Sequence, residues 1–143
     1  MPDYEYAGAS KILPSLLFQR VSPRALVRDI VLITLKDHLK DIAPAEMART
    51  EVDDSSISLV HASYAADRRY VLTGHFGCHL LARRDDLWLT DCDTHAASSG
   101  GPVFVQAKND LRLAAVMVGI ASKSASIAVP ASWIDVATEY ECP

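Results

Sequence analysis

Short apolar runs separated by polar turns dominate the chain, and they predict β-strands. The most compact run, DIVLITL over residues 29–35, is rich in β-branched side chains and predicts a buried strand. Two further runs, over 102–107 and 111–120, flank the polar tripeptide KND and predict a hairpin. Shorter strands are predicted over residues 11–13, 57–61, 70–73 and 126–129. This pattern predicts an all-β sandwich or barrel.

The last segment of the chain changes to a helical period. Ser132 can cap a helix, and Asp135, three residues later, completes a variant of the capping box. Trp133 and Tyr140 share one apolar face at helical spacing. We therefore expect a closing α-helix, with its tail, over residues 131–143.

Two of the three cysteines are spaced for a disulfide bond across a hairpin. Apolar runs over 75–82 and 87–91 lie on either side of the charged stretch RRDD, which predicts a β-hairpin. If its turn centres on Asp85, Cys78 and Cys92 lie opposite each other, with Cβ atoms about 4.5–5.5 Å apart. That separation is near the range that a disulfide bond requires.

Other states of the cysteines stay open at this point. Both could be reduced and buried, as in a cytosolic protein. A zinc site with His75, Cys78 and His79 is a further alternative, although on a strand the histidines and the cysteine would lie on opposite faces. Cys142, near the end of the printed sequence, is expected to be an exposed thiol without an assigned role.

Composition and charge exclude several classes of protein. Of the 143 residues, 50% are hydrophobic, which excludes a disordered chain. The net charge of -4, without a block of Lys and Arg, argues against a nucleic-acid partner. No stretch approaches the roughly 18 apolar residues of a membrane span. The acidic N-terminal sequence MPDYEYAGAS is not typical of a signal peptide.

The segment over residues 91–104 carries the candidate chemistry. It reads DCDTHAASSGGPVF, and the two glycines directly after Ser99 allow a sharp turn and a close approach to a substrate. Because Pro102 begins an apolar strand, Ser99 is expected on a loop held by a rigid element. Such a loop can direct backbone N–H groups at the oxyanion of a tetrahedral intermediate.

This segment resembles the nucleophile motif of the chymotrypsin-like serine proteases, especially their bacterial trypsin-like and glutamyl-endopeptidase-like branches. Those branches commonly show Cys-Asp-Thr, then Gly-Ser-Ser-Gly, then proline and an apolar strand. A second match is DIVLITL, which resembles the family strand that begins with the triad aspartate. The order of Asp29 before Ser99 is also the family order. The resemblance covers residues 8–140, nearly the whole chain.

The resemblance implies a fold, a reaction and a set of site residues. The fold would be a double Greek-key β-barrel with an incomplete first barrel. The reaction would be peptide-bond hydrolysis through an acyl-enzyme on Ser99, with Asp29 orienting a histidine and the amides of Ala97 and Ser99 forming the oxyanion hole. No metal or organic cofactor is implied, and the partner would be a polypeptide substrate or binding partner.

Four further residues are implied to bind substrate, namely Asp93, Thr94, Ala121 and Ser122. Asp93 holds the position of the acidic residue that gives trypsin its preference for Lys or Arg. The Cys-Asp-Thr branches, however, carry an aspartate there without that preference. Ala121 stands where glutamyl endopeptidases usually carry a histidine, which argues against specificity for glutamate.

Two features depart from the family pattern. The catalytic histidine is expected before the aspartate, yet residues 1–28 contain no histidine and all five histidines follow Asp29. A serine hydroxyl without an adjacent base is a weak nucleophile. Ala97 stands where the family has glycine, and a positive φ there would strain an alanine. We therefore expect the chain on its own to be inactive.

Three explanations of the absent histidine stay open. The printed sequence could lack the N-terminal segment that carries the histidine, or the protein could be a non-catalytic homologue that binds other proteins. A partner that supplies the histidine is a third alternative. On the first explanation, residues 1–45 form a remnant of the first barrel, 46–130 the second barrel and 131–143 the closing helix and tail. Family members are usually secreted or periplasmic, which would suit a disulfide bond.

Overall fold

Antiparallel β-strands make up most of the described structure, which confirms the all-β prediction. The computed structural model describes residues 9–14, 29–37, 39–48, 56–84, 86–107 and 110–132. Its strands are β1 Ala9–Pro14, β2 Val31–Leu35, β3 Leu59–Ser63, β4 Thr73–Cys78, β5 Leu80–Arg84, β6 Leu87–Thr90, β7 Pro102–Ala107, β8 Asp110–Ser122 and β9 Ala125–Pro130. A short 3-10 helix covers Ala66–Arg68. Within these ranges, the structure contains no helix with the length and apolar character needed to cross a membrane.

Seven of these strands form one curled sheet that carries the core. The strand order is β4-β3-β7-β8-β9-β6-β5, and every pair is antiparallel. The two outermost strands, β4 and β5, are consecutive in the chain and separated only by His79. The sheet therefore curls so that its two ends approach each other. Its core contains Leu59, Trp88, Val103 and Met117, and burying a large apolar side chain stabilises a fold by about 1.5–3 kcal/mol.

A separate two-stranded sheet precedes this core. In it β1 pairs antiparallel with β2, with Pro14 opposite Val31. The strand predicted over residues 29–35 is confirmed as β2, but the prediction that it is buried is wrong. Its alternate side chains Val31, Ile33 and Leu35 are 50%, 51% and 41% exposed, because the described residues place no further layer over that face.

The stretch predicted as one strand over residues 75–82 divides at His79. Its first part belongs to β4 and pairs with β3, while its second part belongs to β5 and pairs with β6. Gly77 has a positive φ of 75°, which glycine adopts without strain, and this allows the chain to change direction just before His79. The strand predicted over 70–73 is displaced as well, since Tyr70 lies in a turn that precedes β4.

The predicted disulfide bond between Cys78 and Cys92 is present. The two Cα atoms are 4.9 Å apart, and both cysteines are buried. In the β5–β6 hairpin Leu80 lies opposite Thr90, so the cysteines, two residues further out on each side, face each other. Because Cys78 is bonded to Cys92, the alternatives of reduced thiols and of a zinc site that includes Cys78 are wrong.

Three predictions about the fold stay predictions. The closing helix predicted over 131–143 lies outside the described residues except for its first two positions. The thiol of Cys142 lies outside them as well. The predicted boundary between residues 45 and 46 also stays a prediction, and on its C-terminal side Met47 forms a bridge to Leu113 of β8.

Candidate functional site

The segment singled out in the sequence forms the connection between β6 and β7, over residues 91–101, and we call it the β6–β7 loop. Its beginning is held by the disulfide bond of Cys92 and by the Ser126 hydroxyl, which donates to the Cys92 carbonyl oxygen at 2.8 Å. Its end is held against β8, because the Met117 N–H donates to the Gly101 carbonyl at 2.9 Å. The loop is therefore anchored on both sides of its central residues.

Ser99 lies near the end of this loop with an exposed side chain. Its hydroxyl donates a hydrogen bond of 3.2 Å to the carbonyl oxygen of Val118 in β8. Among the described residues, no histidine forms a hydrogen bond with Ser99. The hydroxyl is therefore accessible to a ligand, but this part of the chain provides no base in contact with it.

The backbone at Ala97 adopts the left-handed conformation that would suit a glycine. Its φ is 68°, and an alanine in this region is strained by about 1–2 kcal/mol. Within the described part of the chain, the N–H groups of Ala97 and Ser99 have no acceptor, whereas the Ser98 N–H between them donates to the His95 carbonyl at 3.1 Å. The two amides predicted to form an oxyanion hole are therefore available to a ligand.

A first pocket lies beside Ser99, and we call it the Ser99 pocket. Its volume is about 190 Å³, below the roughly 300–1,000 Å³ of pockets that hold whole small-molecule ligands. Met117 is a buried part of its wall, and Gly119 adds no side chain. The lining consists of Thr94, His95, Ala96, Ala97, Ser98, Ser99, Met117, Gly119 and Ile120. The pocket has the size for one side chain of a longer ligand.

Of the four residues predicted to bind substrate, Thr94 alone lines the Ser99 pocket. Asp93 lines a different pocket, and its carboxylate lies 3.9 Å from Nε2 of His95. Ala121 and Ser122 are exposed at the end of β8, beyond the residues that line the pocket. The lining of the Ser99 pocket therefore lacks the acidic floor that the position of Asp93 would have implied in trypsin.

A second pocket, of about 180 Å³, shares His95 with the first, and we call it the His61 pocket. Its lining consists of His61, Ser63, Ala65, Asp67, Arg68, Thr73, Gly74, His75, Asp93 and His95. The Asp93 N–H donates to Nδ1 of His75 at 2.7 Å, so the ring proton of His75 is on Nε2. In the described ranges, no group of three or more His, Cys, Asp or Glu side chains is arranged to hold a metal ion.

His61, in β3, is the buried histidine of this pocket, with 2% of its surface exposed. Its Nδ1 donates to the Pro102 carbonyl oxygen at 3.1 Å, and its Nε2 has no hydrogen-bond partner in the described part of the chain. Burial lowers the pKa of His61 below the usual 6.5. The hydrogen bond to the Pro102 carbonyl raises this pKa in part, and the electrostatic interaction with nearby His75 lowers it. The ring is therefore neutral at pH 7, and its Nε2 atom is an acceptor.

The ring of His61 packs directly against Gly101. A Cβ atom at Gly101 would lie 2.7 Å from Cε1 of His61 and 2.7 Å from the Ala62 carbonyl oxygen, which is closer than Cβ contacts allow. Steric contact therefore requires this glycine, whereas Gly100 is required by its positive φ of 85°. Sequence reasoning did not select His61, although a histidine inside the apolar run of β3 is a signal that could have identified it.

Asp29 is not brought to Ser99 within the described residues. It is exposed just before β2 and lines neither pocket. Its neighbour Ile30 packs against a small cluster formed by Leu87 and Val129, and this contact links the two-stranded sheet to the seven-stranded one. The triad role of Asp29 therefore stays a prediction.

No family model matches this chain, and no curated protein matches it. Function must therefore be inferred from the chain itself. The candidate site of this chain consists of the β6–β7 loop and the two pockets that meet at His95.

Proposed function

We propose that this chain carries the nucleophile-bearing barrel of a chymotrypsin-like serine endopeptidase, with Ser99 as the nucleophile. The motif DCDTHAASSGGPVF supports this lineage, and so does the connection in which it lies. Strands β6 to β9 have the spatial order β6-β9-β8-β7, an order that is compatible with a Greek key. The β6–β7 loop is the long connection of that unit, and loops on a rigid scaffold are common sites of catalytic residues.

The observation that carries the proposal is the set of groups around the Ser99 hydroxyl. The hydroxyl is exposed at a pocket with the size of one side chain, and the amides of Ala97 and Ser99 have no acceptor in the described residues. Donors of this kind stabilise the oxyanion of a tetrahedral intermediate. A peptide with one side chain in the Ser99 pocket would hold its carbonyl carbon near the hydroxyl.

The proposed reaction is acyl transfer to Ser99 followed by hydrolysis. Oγ of Ser99 forms a bond to the carbonyl carbon while a base takes the hydroxyl proton, and the base then protonates the leaving amine as the C–N bond breaks. Water hydrolyses the acyl-enzyme and restores the hydroxyl. The base would come from residues outside the described ranges or from a partner, and Asp29 would orient it.

One observation favours a second function, that of a non-catalytic module that binds polypeptides. The Ser99 hydroxyl donates its proton to the Val118 carbonyl oxygen and not to a base. A serine in this state is a weak nucleophile. The same pocket and amides would then hold a peptide without cleaving it.

Labelling with a fluorophosphonate separates the two functions. The protease proposal predicts that Ser99 displaces fluoride and forms a phosphonyl ester, slowly at first and faster when imidazole is added as an external base. Intact-mass measurement gives the rate, and peptide mapping gives the modified residue. Ser99→Ala should abolish labelling, whereas Ser124→Ala, at an exposed serine in the β8–β9 turn, should leave the rate unchanged.

The negative result has a clear meaning if the protein is folded. An oxidised Cys78–Cys92 bond and a cooperative thermal transition serve as the folding check. If Ser99 stays unlabelled in such a sample even with imidazole, the nucleophile proposal fails and the binding module is favoured. Labelling that persists in Ser99→Ala also overturns it.

A further inference from the structure

We infer that the Ser99 pocket selects a carboxamide side chain, that of glutamine or asparagine, through the hydroxyl of Thr94. The inference rests on the proposed function, because it concerns the side chain that enters beside Ser99. Three observations carry it, namely the direction of a hydrogen-bond chain, the charges near the pocket and the pocket volume.

The hydrogen-bond chain at Thr94 runs in one direction. The Ser126 hydroxyl lies 2.8 Å from the Cys92 carbonyl oxygen, and it donates its single proton there because a carbonyl oxygen only accepts. The Thr94 hydroxyl lies 2.7 Å from Oγ of Ser126, which has no second proton to give. Thr94 therefore donates to Ser126. Toward a ligand in the pocket, the Thr94 hydroxyl is then an acceptor.

Burial fixes the direction of this hydrogen-bond chain. Ser126 is 3% exposed and Cys92 is 2% exposed, so solvent does not replace either partner. Reversing the hydrogen-bond chain would leave the buried Cys92 carbonyl without this donor, which is unfavourable because a buried polar group then lacks a partner. The disulfide bond to Cys78 holds Cys92 in place at the end of the chain.

An acceptor in the pocket wall favours a ligand that donates, and a lining that contains no Asp, Glu, Lys or Arg among the described residues favours a neutral one. A carboxylate has no proton to donate at pH 7, and the Asp93 carboxylate beside His95 adds negative charge next to the pocket. An ammonium or guanidinium group would donate, but none of the described lining residues is a carboxylate, and a desolvated cation needs one. A carboxamide donates through its N–H groups without carrying a charge.

The volume of the pocket limits the ligand to one side chain. About 190 Å³ accommodates one unbranched side chain, whose methylene groups would pack against Met117. An apolar side chain of the same length would make that contact as well, but it would cover the Thr94 oxygen without offering a donor. The polar end of the ligand therefore decides the selection.

Four peptides of matched length test the inference on the chain of 143 residues. They are the acetylated tetrapeptide amides Ala-Ala-Ala-Xaa, in which Xaa is Gln, Glu, Met or Lys, and their binding is measured by calorimetry at pH 7. We expect the Gln peptide to bind most tightly. The Met peptide should bind about five- to tenfold more weakly, the value of one lost hydrogen bond. The Glu and Lys peptides should bind about tenfold more weakly, or worse.

Variants of the hydrogen-bond chain identify the selecting group. Thr94→Val keeps the shape of the side chain and should abolish the preference for Gln over Met, while Thr94→Ser should retain it. Ser126→Ala removes the acceptor of the Thr94 proton, so Thr94 can donate that proton to the carboxylate of the Glu peptide. The difference in affinity between the Gln and Glu peptides should therefore become smaller, an effect that a merely structural role of Ser126 would not produce. Thr73→Val, a matched change in the His61 pocket, should leave the order of the four peptides unchanged.

The outcomes separate this inference from the proposed function. Equal or tighter binding of the Met, Glu or Lys peptide overturns the carboxamide selection, while fluorophosphonate labelling of Ser99 in the same sample leaves the proposed function standing. If none of the four peptides binds at millimolar concentration, the selection and the peptide-binding role of the Ser99 pocket both fail. A Gln preference that survives Thr94→Val overturns the assignment to Thr94.

Discussion

The two pockets that meet at His95 hold different chemistry in nearly equal volumes. The Ser99 pocket combines an exposed hydroxyl, two amides without acceptors in the described residues and the apolar side chain of Met117. The His61 pocket holds three imidazoles, two carboxylates and a guanidinium group. The candidate nucleophile and most of the titratable groups thus lie in separate pockets, whereas general-base catalysis needs them within hydrogen-bond distance of each other.

This separation indicates that the histidines of the second pocket hold the loop in place. His61 donates to the Pro102 carbonyl and packs against Gly101, at the end of the β6–β7 loop. His75 accepts the N–H of Asp93, at the beginning of the same loop. Both rings therefore hold the backbone of the β6–β7 loop, which carries Ser99. Changes to the His61 pocket should act on stability, and changes to the Ser99 pocket on ligand binding.

The largest expected effect comes from Gly101→Ala. The added Cβ atom would lie 2.7 Å from Cε1 of His61 and from the Ala62 carbonyl oxygen, and 2.9 Å from the Ser98 carbonyl oxygen. Two of these three atoms belong to backbone, so the contact cannot be relieved by a side-chain rotation alone. We expect the free energy of unfolding to fall by about 3 kcal/mol, at the upper end of overpacking effects. Denaturant unfolding measures it.

Gly119→Ala is the matched control for this substitution. A Cβ atom there would meet nothing within 4 Å, and Gly119 lies in strand β8 on the side of the Ser99 pocket. We expect its effect on unfolding to stay within about 0.5 kcal/mol, as for most surface changes. Equal losses in the two variants would contradict the idea that contact with His61 is what requires glycine at position 101.

The next effect concerns acid stability and His61. In the unfolded chain this histidine has a pKa near 6.5, whereas burial lowers its pKa in the folded protein. The unfolded state therefore binds a proton first as the pH falls, and stability is lost below about pH 6.5, by at most about 1.4 kcal/mol per pH unit for one proton. His61→Asn can retain a donor toward the Pro102 carbonyl and cannot be protonated, so it should lose less stability between pH 6.5 and 5.

Thermal unfolding over this pH range measures the difference. Asp67, Asp93, His75 and His95 line the same pocket and are present in both proteins, so the comparison with the parent chain isolates the proton on His61. His79→Asn changes an exposed histidine beside Asp91 and serves as the control. Identical pH profiles for the parent chain and His61→Asn would refute the assignment of acid sensitivity to the buried ring.

The strands are the part of the fold that local pattern predicts well. The strand predicted over 102–107 coincides with β7, because a proline begins it and the tripeptide KND closes it. The exposure of β2 could not be predicted, since a run of β-branched residues indicates a strand but not whether another layer of the protein covers it. The division at His79 was missed for a similar reason, because the partner of each half of the run is set by the curl of the whole sheet.

The site divides in the same way into local and distant contributions. The symmetric positions of Cys78 and Cys92 around a hairpin, which are local facts, made the disulfide bond one of the alternatives, and the structure confirms it. The place of Asp93 outside the Ser99 pocket depends on the path of the loop, which its residue types do not fix. The role of His61 depends on Pro102, 41 residues away in the chain, so the apolar run around this histidine could indicate a buried ring but not its hydrogen-bond partner.

The smallest expected effect tests the backbone strain at Ala97. This residue lines the Ser99 pocket and not the His61 pocket. Ala97→Gly removes a left-handed alanine, with φ of 68°, at the cost of a more flexible unfolded chain, so unfolding should require about 0.5–1 kcal/mol more. Ala96→Gly, one residue earlier and without a positive φ, should instead destabilise by about 0.5–1 kcal/mol. Denaturant unfolding of both variants gives the two signs. Because Ala97 already lines the Ser99 pocket, Ala97→Gly should stabilise the fold while changing fluorophosphonate labelling little. A large gain in labelling rate would contradict this, since it would mean that alanine keeps the amide out of the position that an oxyanion requires.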